Sequence, residues 1–348
     1  MRRILFIGAV NSNNQPLGGE EYKNQLFVGR LKEDFDTVVI DTFQWHKRPI
    51  LILRMFWHLF FRNVDRIIIS ASSASTYRLL RILKHFPTKI EKTFYFVIGG
   101  YFPQGLKTEE FDISFYRSLK GIVVEGEMLK QQISKVEALE NISVIPNFKN
   151  FKLVKKNYSD HFKCNVIKFV FISRITRTKG VDTIFEAVKR LSAEGYENLF
   201  SVDFFGKIES SYAQEFLAEI DLSECSYKGE LDLMNNSSES YRLLSDYHVM
   251  LFPTRWKGEG FPGVIIDAFV AGLPVIASDW NMNSELIANG KSGFLIPVDD
   301  SISLASAMRQ VMDNRVKTSE MAINSSKESE SFHLSVVWPS IKELLLRE

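Results

Sequence analysis

Apolar residues along this chain fall mostly into brief, unbroken, β-branched runs rather than alternating ones. Such runs suit strands buried on both faces. In the first half they predict strands at Ile4–Ile7, Thr37–Ile40, Arg66–Ile69, Thr93–Ile98, Gly121–Val124 and Ser143–Ile145. Helical candidates lie between them, at Glu20–Leu31, Ala74–Lys84 and Met128–Leu139. Strand–helix alternation of this kind implies a parallel sheet with crossover helices. The pattern breaks at the polar, basic segment 146–160, which reads as a linker. It then restarts, with strands expected at Lys168–Ile172, Ser201–Phe205, Val249–Phe252, Pro274–Ala277 and Phe294–Ile296. The helices expected there are Val181–Ala193, Tyr212–Ile220, Ser238–Leu244, Val264–Val270 and Ile302–Met312. Asn324–Ser331 reads as low-complexity polar sequence, and an amphipathic helix, His333–Leu346, closes the chain.

The pattern predicts two α/β domains, residues 1–150 and 151–331, and a length of 348 residues agrees with that division. Hydrophobic residues make up 45% and charged residues 24%, the balance of a folded soluble protein. The two cysteines, Cys164 and Cys225, are too far apart for a C-x-x-C site and suggest neither a disulfide framework nor zinc. A reduced, cytoplasmic setting is expected. The apolar start Ile4–Val10 is too brief, and lacks a cleavage site, for a signal peptide.

Charge is uneven. Residues 1–150 hold 21 Lys and Arg against 15 Asp and Glu, and the remainder holds 22 against 27. Residues 46–92 are the extreme, with ten basic side chains and two acids. Within them lies Arg48-Pro-Ile-Leu-Ile-Leu-Arg-Met-Phe-Trp-His-Leu-Phe-Phe-Arg62. This run is well short of the ~20 residues that cross a bilayer. It suits a helix lying in the membrane interface, or one packed in the core with its arginines reaching solvent. The basic excess favours the surface, and with near-neutral overall charge nucleic acid is not an expected partner.

Two segments carry candidate chemistry. In Lys168-Phe-Val-Phe-Ile-Ser-Arg174-Ile-Thr-Arg-Thr-Lys179-Gly180, a buried strand ends in a basic turn before a helix. Arg174 and Lys179 thus stand at the carboxyl end of a strand, where open parallel sheets bind ligands. Arg offers a planar fork to phosphate and Lys a mobile point charge. In Glu259-Gly260-Phe261-Pro262-Gly263-Val-Ile-Ile-Asp267, a loop presents one carboxylate and the helix that follows presents another. Free N–H groups at that helix start suit a diphosphate. In the first half, Gly18-Gly19 before a helix allows close backbone approach to phosphate. No G-x-G-x-x-G follows the first strand, which argues against a nicotinamide or flavin enzyme.

Together these segments resemble the retaining glycosyltransferases of family 4. Ser173-Arg174-x4-Lys179-Gly180 is similar to the family's S-R-x4-K-G motif, and Glu259-x7-Asp267 to its E-x7-E signature, with Asp replacing the second Glu. Asn283-Ser-Glu285-Leu-Ile-Ala-Asn-Gly290-Lys-Ser-Gly293 resembles a further family stretch. The resemblance implies the GT-B fold, two Rossmann-like parallel-sheet domains facing a central cleft, with residues 332–348 packing back on the first domain. Arg174 and Lys179 would grip the diphosphate and stabilise the leaving group, and Glu259 would contact the transferred sugar. Asp267 would hold the ribose hydroxyls, and Gly260, Phe261, Pro262 and Gly263 would meet the phosphates through their backbone, as would Gly18 and Gly19. Gly206 and Glu285 are further candidates.

Many family members carry a His after the fourth strand. Here that place reads Val97-Ile-Gly99-Gly100-Tyr101-Phe-Pro103, so Gly99, Gly100 and Tyr101 are candidates for meeting substrate instead. The resemblance implies a UDP- or GDP-sugar donor and no cofactor or metal, and the basic amphipathic patch suggests a lipid-linked saccharide acceptor. The same patch suggests a peripheral place at the inner face of the cell membrane, attached through residues 46–92. A non-catalytic partner subunit that binds nucleotide or lipid, and a sugar-nucleotide epimerase of the same fold, remain as alternatives.

Overall fold

The computed structural model describes residues 1–12, 14–47, 50–220 and 224–347. The chain divides into two compact units, Met1–Asn150 with Leu334–Glu348, and Phe151–His333.

The first unit is built on six parallel strands, β1 (Arg3–Gly8), β2 (Asp36–Asp41), β3 (Arg66–Ser72), β4 (Thr93–Ile98), β5 (Gly121–Val124) and β6 (Ile142–Val144). Their order is β2-β1-β3-β4-β5-β6. Ile4, Phe6, Phe27, Phe94 and Phe96 form a core that the final helix, Leu334–Leu346, completes with Trp338 and Ile341. Asp34 fastens that helix by accepting hydrogen bonds from Trp338 Nε1 at 2.6 Å and Lys342 Nζ at 3.0 Å.

The second unit holds β7 (Ile167–Ile172), β8 (Phe200–Phe205), β9 (Cys225–Tyr227), β10 (Val249–Phe252), β11 (Val275–Ser278) and β12 (Gly293–Ile296). They are parallel, in the order β12-β11-β10-β7-β8-β9. This is the dinucleotide-fold strand order, and its direction reverses between β7 and β10. Chains leaving neighbouring strands there diverge to opposite sides and leave a crevice at the strands' carboxyl ends. In the first unit the reversal falls between β1 and β3.

Two elements depart from the sequence pattern. Strand β9 has only three residues, too few for a periodicity. The polar stretch 324–331 lies largely within a 15-residue helix, Arg315–Ser329. Its buried stripe includes Thr318, Met321, Ala322, Ser325 and Ser329, at helical spacing but mostly of small or hydroxyl side chains. Ser325 Oγ donates to the Met321 carbonyl at 2.9 Å or the Ser292 carbonyl at 3.0 Å, which satisfies a hydroxyl that is fully buried. A count of apolar positions does not detect such a stripe.

The basic, aromatic run forms the helix Ile50–Phe61, and Arg48 and Pro49 lie outside the described residues. Met55 and Leu59 are buried, while Ile50, Leu53, Trp57 and Phe61 are 52–70% exposed. Positions 50, 53, 57 and 61 make one stripe at helical spacing. The helix therefore packs by one face and leaves an apolar stripe outside. No helix among the described residues is long and apolar enough to cross a membrane.

Candidate functional site

The turn after β7 and the loop after β10 meet at the second unit's reversal point. Lys179 closes a short 3-10 turn, Arg177–Lys179, and Gly180 follows with φ +76°. A Cβ at Gly180 would lie 2.0 Å from the Pro253 carbonyl oxygen, so only glycine lets the two segments approach. Gly206, at the end of β8, plays the same part behind Arg174. Its φ is +143°, and a Cβ there would lie 1.7 Å from the Ser173 carbonyl oxygen.

These approaches bring Lys179 Nζ to 2.5 Å from Glu259 Oε2. Both residues are buried. Thr254 Oγ1 donates to the same carboxylate oxygen at 3.1 Å. Burial pushes the Lys179 ammonium below its ordinary pKa, while the Glu259 carboxylate pulls the other way and the Arg174 charge adds to the lowering. Arg174 is exposed, and its guanidinium stands 5.2 Å from the centre of the Trp256 ring. The Glu259 backbone is held as well, its carbonyl accepting from Asn281 Nδ2 at 2.9 Å. Arg255 ties the loop down through Asp182 at 2.6 Å and through its own N–H to the Thr178 carbonyl at 2.9 Å.

Glu259 leads into the helix Gly263–Val270, whose N-terminus follows Pro262 and carries no side-chain cap. The Phe261 side chain packs against Phe332, ring centres 5.8 Å apart, so only its backbone stands as a ligand candidate. Asp267, inside the helix, is buried and accepts a 2.8 Å hydrogen bond from the Tyr241 hydroxyl. Glu285 is exposed and lines a separate hollow of about 320 Å³ with Glu328, Ser331 and Phe332.

Residues 160–329 match the family described as glycosyl transferases group 1. The match lies within the second unit and spans nearly all of it. Curated relatives point the same way. The chain is 22% identical over 236 residues to the capsular polysaccharide biosynthesis glycosyltransferase CapM of Staphylococcus aureus, covering 67% of this chain and 60% of that one. It is 24% identical over 186 residues to the amylovoran biosynthesis glycosyltransferase AmsK of Erwinia amylovora, covering 52% and 45%. The chain thus spans about half the length of the curated relatives it matches. Among solved structures, HepE of Anabaena in complex with UDP and glucose is similar at a TM-score of 0.72 and 17% identity over 99% of both chains. A sucrose-phosphate synthase from Thermosynechococcus elongatus is similar at 0.75 and 13%, over 99% and 98%. The fold is GT-B.

In the second unit, sequence reasoning passed over Thr254, Arg255, Trp256 and Asn281. The first three act across the β7–β10 junction, Asn281 reaches the Glu259 carbonyl from the turn after β11, and none belongs to a recognisable spacing.

In the first unit, Gly18 precedes the helix Gly19–Asp34, whose N-terminus has no side-chain cap, and nothing would obstruct a Cβ at Gly19. Beside this helix start is a cavity of about 350 Å³ at the carboxyl ends of β1, β2 and β3. Glu20, Leu51, Ile52, Met55 and Arg78 are among the side chains that line it. Burial, with the neighbouring Glu21 charge, raises the Glu20 pKa to about 7. Gly99, at φ +80°, and Gly100 follow β4. Tyr101 is exposed and gives its hydroxyl hydrogen to Glu110 at 2.7 Å, so its donor is already engaged. The chain's one D-x-D spacing, Asp34-Phe-Asp36, has both carboxylates occupied, Asp34 on the final helix and Asp36 by Arg3 at 2.7 Å. No cluster of His, Cys, Asp and Glu suited to a metal occurs among the described residues.

Proposed function

We propose that this protein is a retaining glycosyltransferase that moves a sugar from a nucleoside diphosphate sugar to a hydroxyl group of a lipid-linked saccharide. The observation that carries this reading is the gathering of Arg174, Lys179 and Glu259 at the strand-order reversal of a group 1 domain. Two cations stand where a diphosphate would lie, and a carboxylate stands beside them for the sugar. The uncapped start of Gly263–Val270 adds backbone donors for phosphate.

In the reaction, the bond between the anomeric carbon and the diphosphate breaks as the acceptor oxygen attacks the same face of the sugar. The departing diphosphate takes the acceptor's proton, so no histidine base is required. Arg174 and Lys179 stabilise the charge that grows on the leaving oxygen, and the reaction needs no metal. Asp267, set by Tyr241, holds ribose hydroxyls. The donor is a UDP- or GDP-sugar. UDP is the first to test, because a relative in Escherichia coli is named as a UDP-Gal transferase acting on a diphosphoundecaprenol-linked sugar.

The acceptor belongs to the first unit, around the cavity beside Glu20. The exposed stripe Ile50, Leu53, Trp57 and Phe61, set in a strongly basic window, fits an anionic lipid surface. A lipid-linked acceptor is supported by the diphosphoundecaprenol in the name of the Escherichia coli relative.

Calorimetric titration with UDP, GDP and ADP, repeated on Arg174→Ala, tests the donor site. Micromolar binding of one nucleotide, lost in the variant, is the expected result. Absence of binding to all three would sink the transferase reading. Co-sedimentation with anionic vesicles, repeated on Trp57→Glu, tests the membrane face, and equal sedimentation of the variant would refute it.

A further inference from the structure

Two cations share one indole in the second unit. Lys179 Nζ lies 4.5 Å from the centre of the Trp256 ring, and the Arg174 guanidinium carbon lies 5.2 Å from it. These are the side chains assigned above to the donor diphosphate, so the inference rests on that reading. Their like charges oppose one another across the ring, even with Lys179 paired to Glu259. Among aromatic side chains, an indole attracts cations to its negative face most strongly.

The backbone that carries the ring is itself fixed. The Trp256 carbonyl accepts hydrogen bonds from the Glu259 N–H at 3.1 Å and from Trp280 Nε1 at 2.9 Å. The Trp256 backbone N–H donates to Thr254 Oγ1 at 3.3 Å. Gly258 lies so close that a Cβ there would sit 2.7 Å from Trp256 Cζ2. The glycine thus leaves room for the ring at the place where the cations need it. Trp256 and Gly258 lie in the loop just before Glu259, so one loop supplies both the carboxylate and the seat for the cations.

We infer that Trp256 is a positioning residue that gathers Arg174 and Lys179 before the donor arrives. Nucleoside diphosphate then meets two cations already brought together, and the protein does not have to overcome their repulsion during binding. Trp256 acts through Arg174 and Lys179 and takes no part in bond making.

The test uses the full chain with Trp256→Leu, Trp256→Phe and Gly258→Ala, and two readouts. The first needs no nucleotide. Lys179 is acetylated in competition with the other amines and followed by mass spectrometry. With the indole gone the ammonium is less stabilised, so acetylation of Lys179 should quicken in Trp256→Leu and return toward wild type in Trp256→Phe. The second is calorimetry with UDP, GDP and ADP. The nucleotide that wild type binds should bind about tenfold more weakly to Trp256→Leu, with most of the loss restored by phenylalanine. Gly258→Ala keeps the indole but displaces it, and should weaken binding even if Trp256→Leu fails to fold. Unchanged Lys179 labelling in both Trp256→Leu and Gly258→Ala, or wild-type affinity in either, would overturn the inference. Wild type that binds none of the three nucleotides, while Lys179 labelling still responds to Trp256→Leu, would overturn the donor reading and leave the platform standing.

Discussion

Lys179 and Glu259 lie eighty positions apart in the chain and 2.5 Å apart in the structure, as a buried ion pair. Neither charge could be buried alone without a large cost in solvation, and each neutralises the other. A diphosphate would bring Lys179 a second anion, so donor binding must compete with this pair. Glu259→Gln removes the competitor while keeping an acceptor for the Lys179 N–H. The variant should lose up to about 3 kcal/mol of stability, because a buried ammonium is left without its counter-charge. Nucleoside diphosphate should bind it at least as tightly as it binds wild type and raise its melting temperature more, while sugar transfer falls by roughly a hundredfold or more. Melting curves with and without nucleotide, beside a transfer assay, check this. If nucleotide affinity fell together with activity, Glu259 would be helping to hold the diphosphate.

Asp267 is set by Tyr241. The tyrosine hydroxyl donates to the carboxylate at 2.8 Å, and both side chains are almost wholly buried. Tyr241→Phe removes that donor and leaves the ring in place. The expected loss is about 1–3 kcal/mol of stability, the usual cost of an under-satisfied buried acceptor. If Asp267 holds the ribose, the same change should weaken nucleotide binding without altering the preference for one base over another. Urea unfolding and calorimetry measure the two effects. Full stability with the hydroxyl gone would mean that Asp267 has its needs met elsewhere.

Much of the fold was legible because its strands are buried on both faces. Such strands leave compact apolar runs, and at Thr93–Ile98, Gly121–Val124 and Val249–Phe252 the runs coincide with β4, β5 and β12's neighbour-but-one, β10. The helix Val181–Ala193 was equally plain, since Val181, Ile184, Phe185, Val188 and Leu191 form one hydrocarbon stripe. Arg315–Ser329 was missed because its stripe is largely hydroxyl and small side chains whose polar atoms are satisfied by backbone carbonyls. At the candidate site, local spacing identified Arg174, Lys179 and Glu259 singly. Their meeting follows from the pairing of β7 with β10, which no local pattern encodes. Trp256 was passed over for the same reason, since its role exists only once the two loops are side by side.

Glu20 carries a pH signature in the first unit. Helix N-termini favour a carboxylate, but burial beside Glu21 outweighs this and raises its pKa to about 7 from 4.5. Between those values the folded chain holds a proton that the unfolded chain has released. Stability from this group is therefore full at low pH and declines as pH rises from 4.5 to 7. Glu20→Gln abolishes that decline. The variant should exceed wild type in stability at pH 8, by up to ~1.4 kcal/mol for each unit of pKa difference, and approach it at pH 5. Urea unfolding of both proteins at the two pH values checks this. A difference that does not change with pH would show that Glu20 titrates alike in both states.

His248 should impose the opposite slope on the second unit. Its ring is buried and stacked on His161, centres 4.2 Å apart. Its Nδ1 accepts the Lys168 N–H at 3.0 Å, and its Nε2 lies 3.2 Å from the His161 carbonyl, so the neutral ring satisfies both neighbours. A second proton would fall on Nδ1 and break the first bond. Burial, then the His161 charge, push the pKa down to about 3 from 6.5, the hydrogen bond to the His161 carbonyl opposes them, and Lys156 and Lys168 add lesser pushes. The unfolded chain then binds a proton below pH 6.5 that the folded chain refuses. Stability from this group is complete above 6.5 and falls with pH at up to about 1.4 kcal/mol per unit. Glu20 also titrates between pH 6.5 and 5, and His58 and His161 have shifted pKa values, so the His248 contribution is read as the difference between variant and wild type. Asparagine can accept from Lys168 and donate to His161 without titrating, so His248→Asn should lose most of this slope. Urea midpoints at pH 7, 6 and 5 measure it, and parallel lines for variant and wild type would mean that the buried ring takes up its proton without opposing the fold.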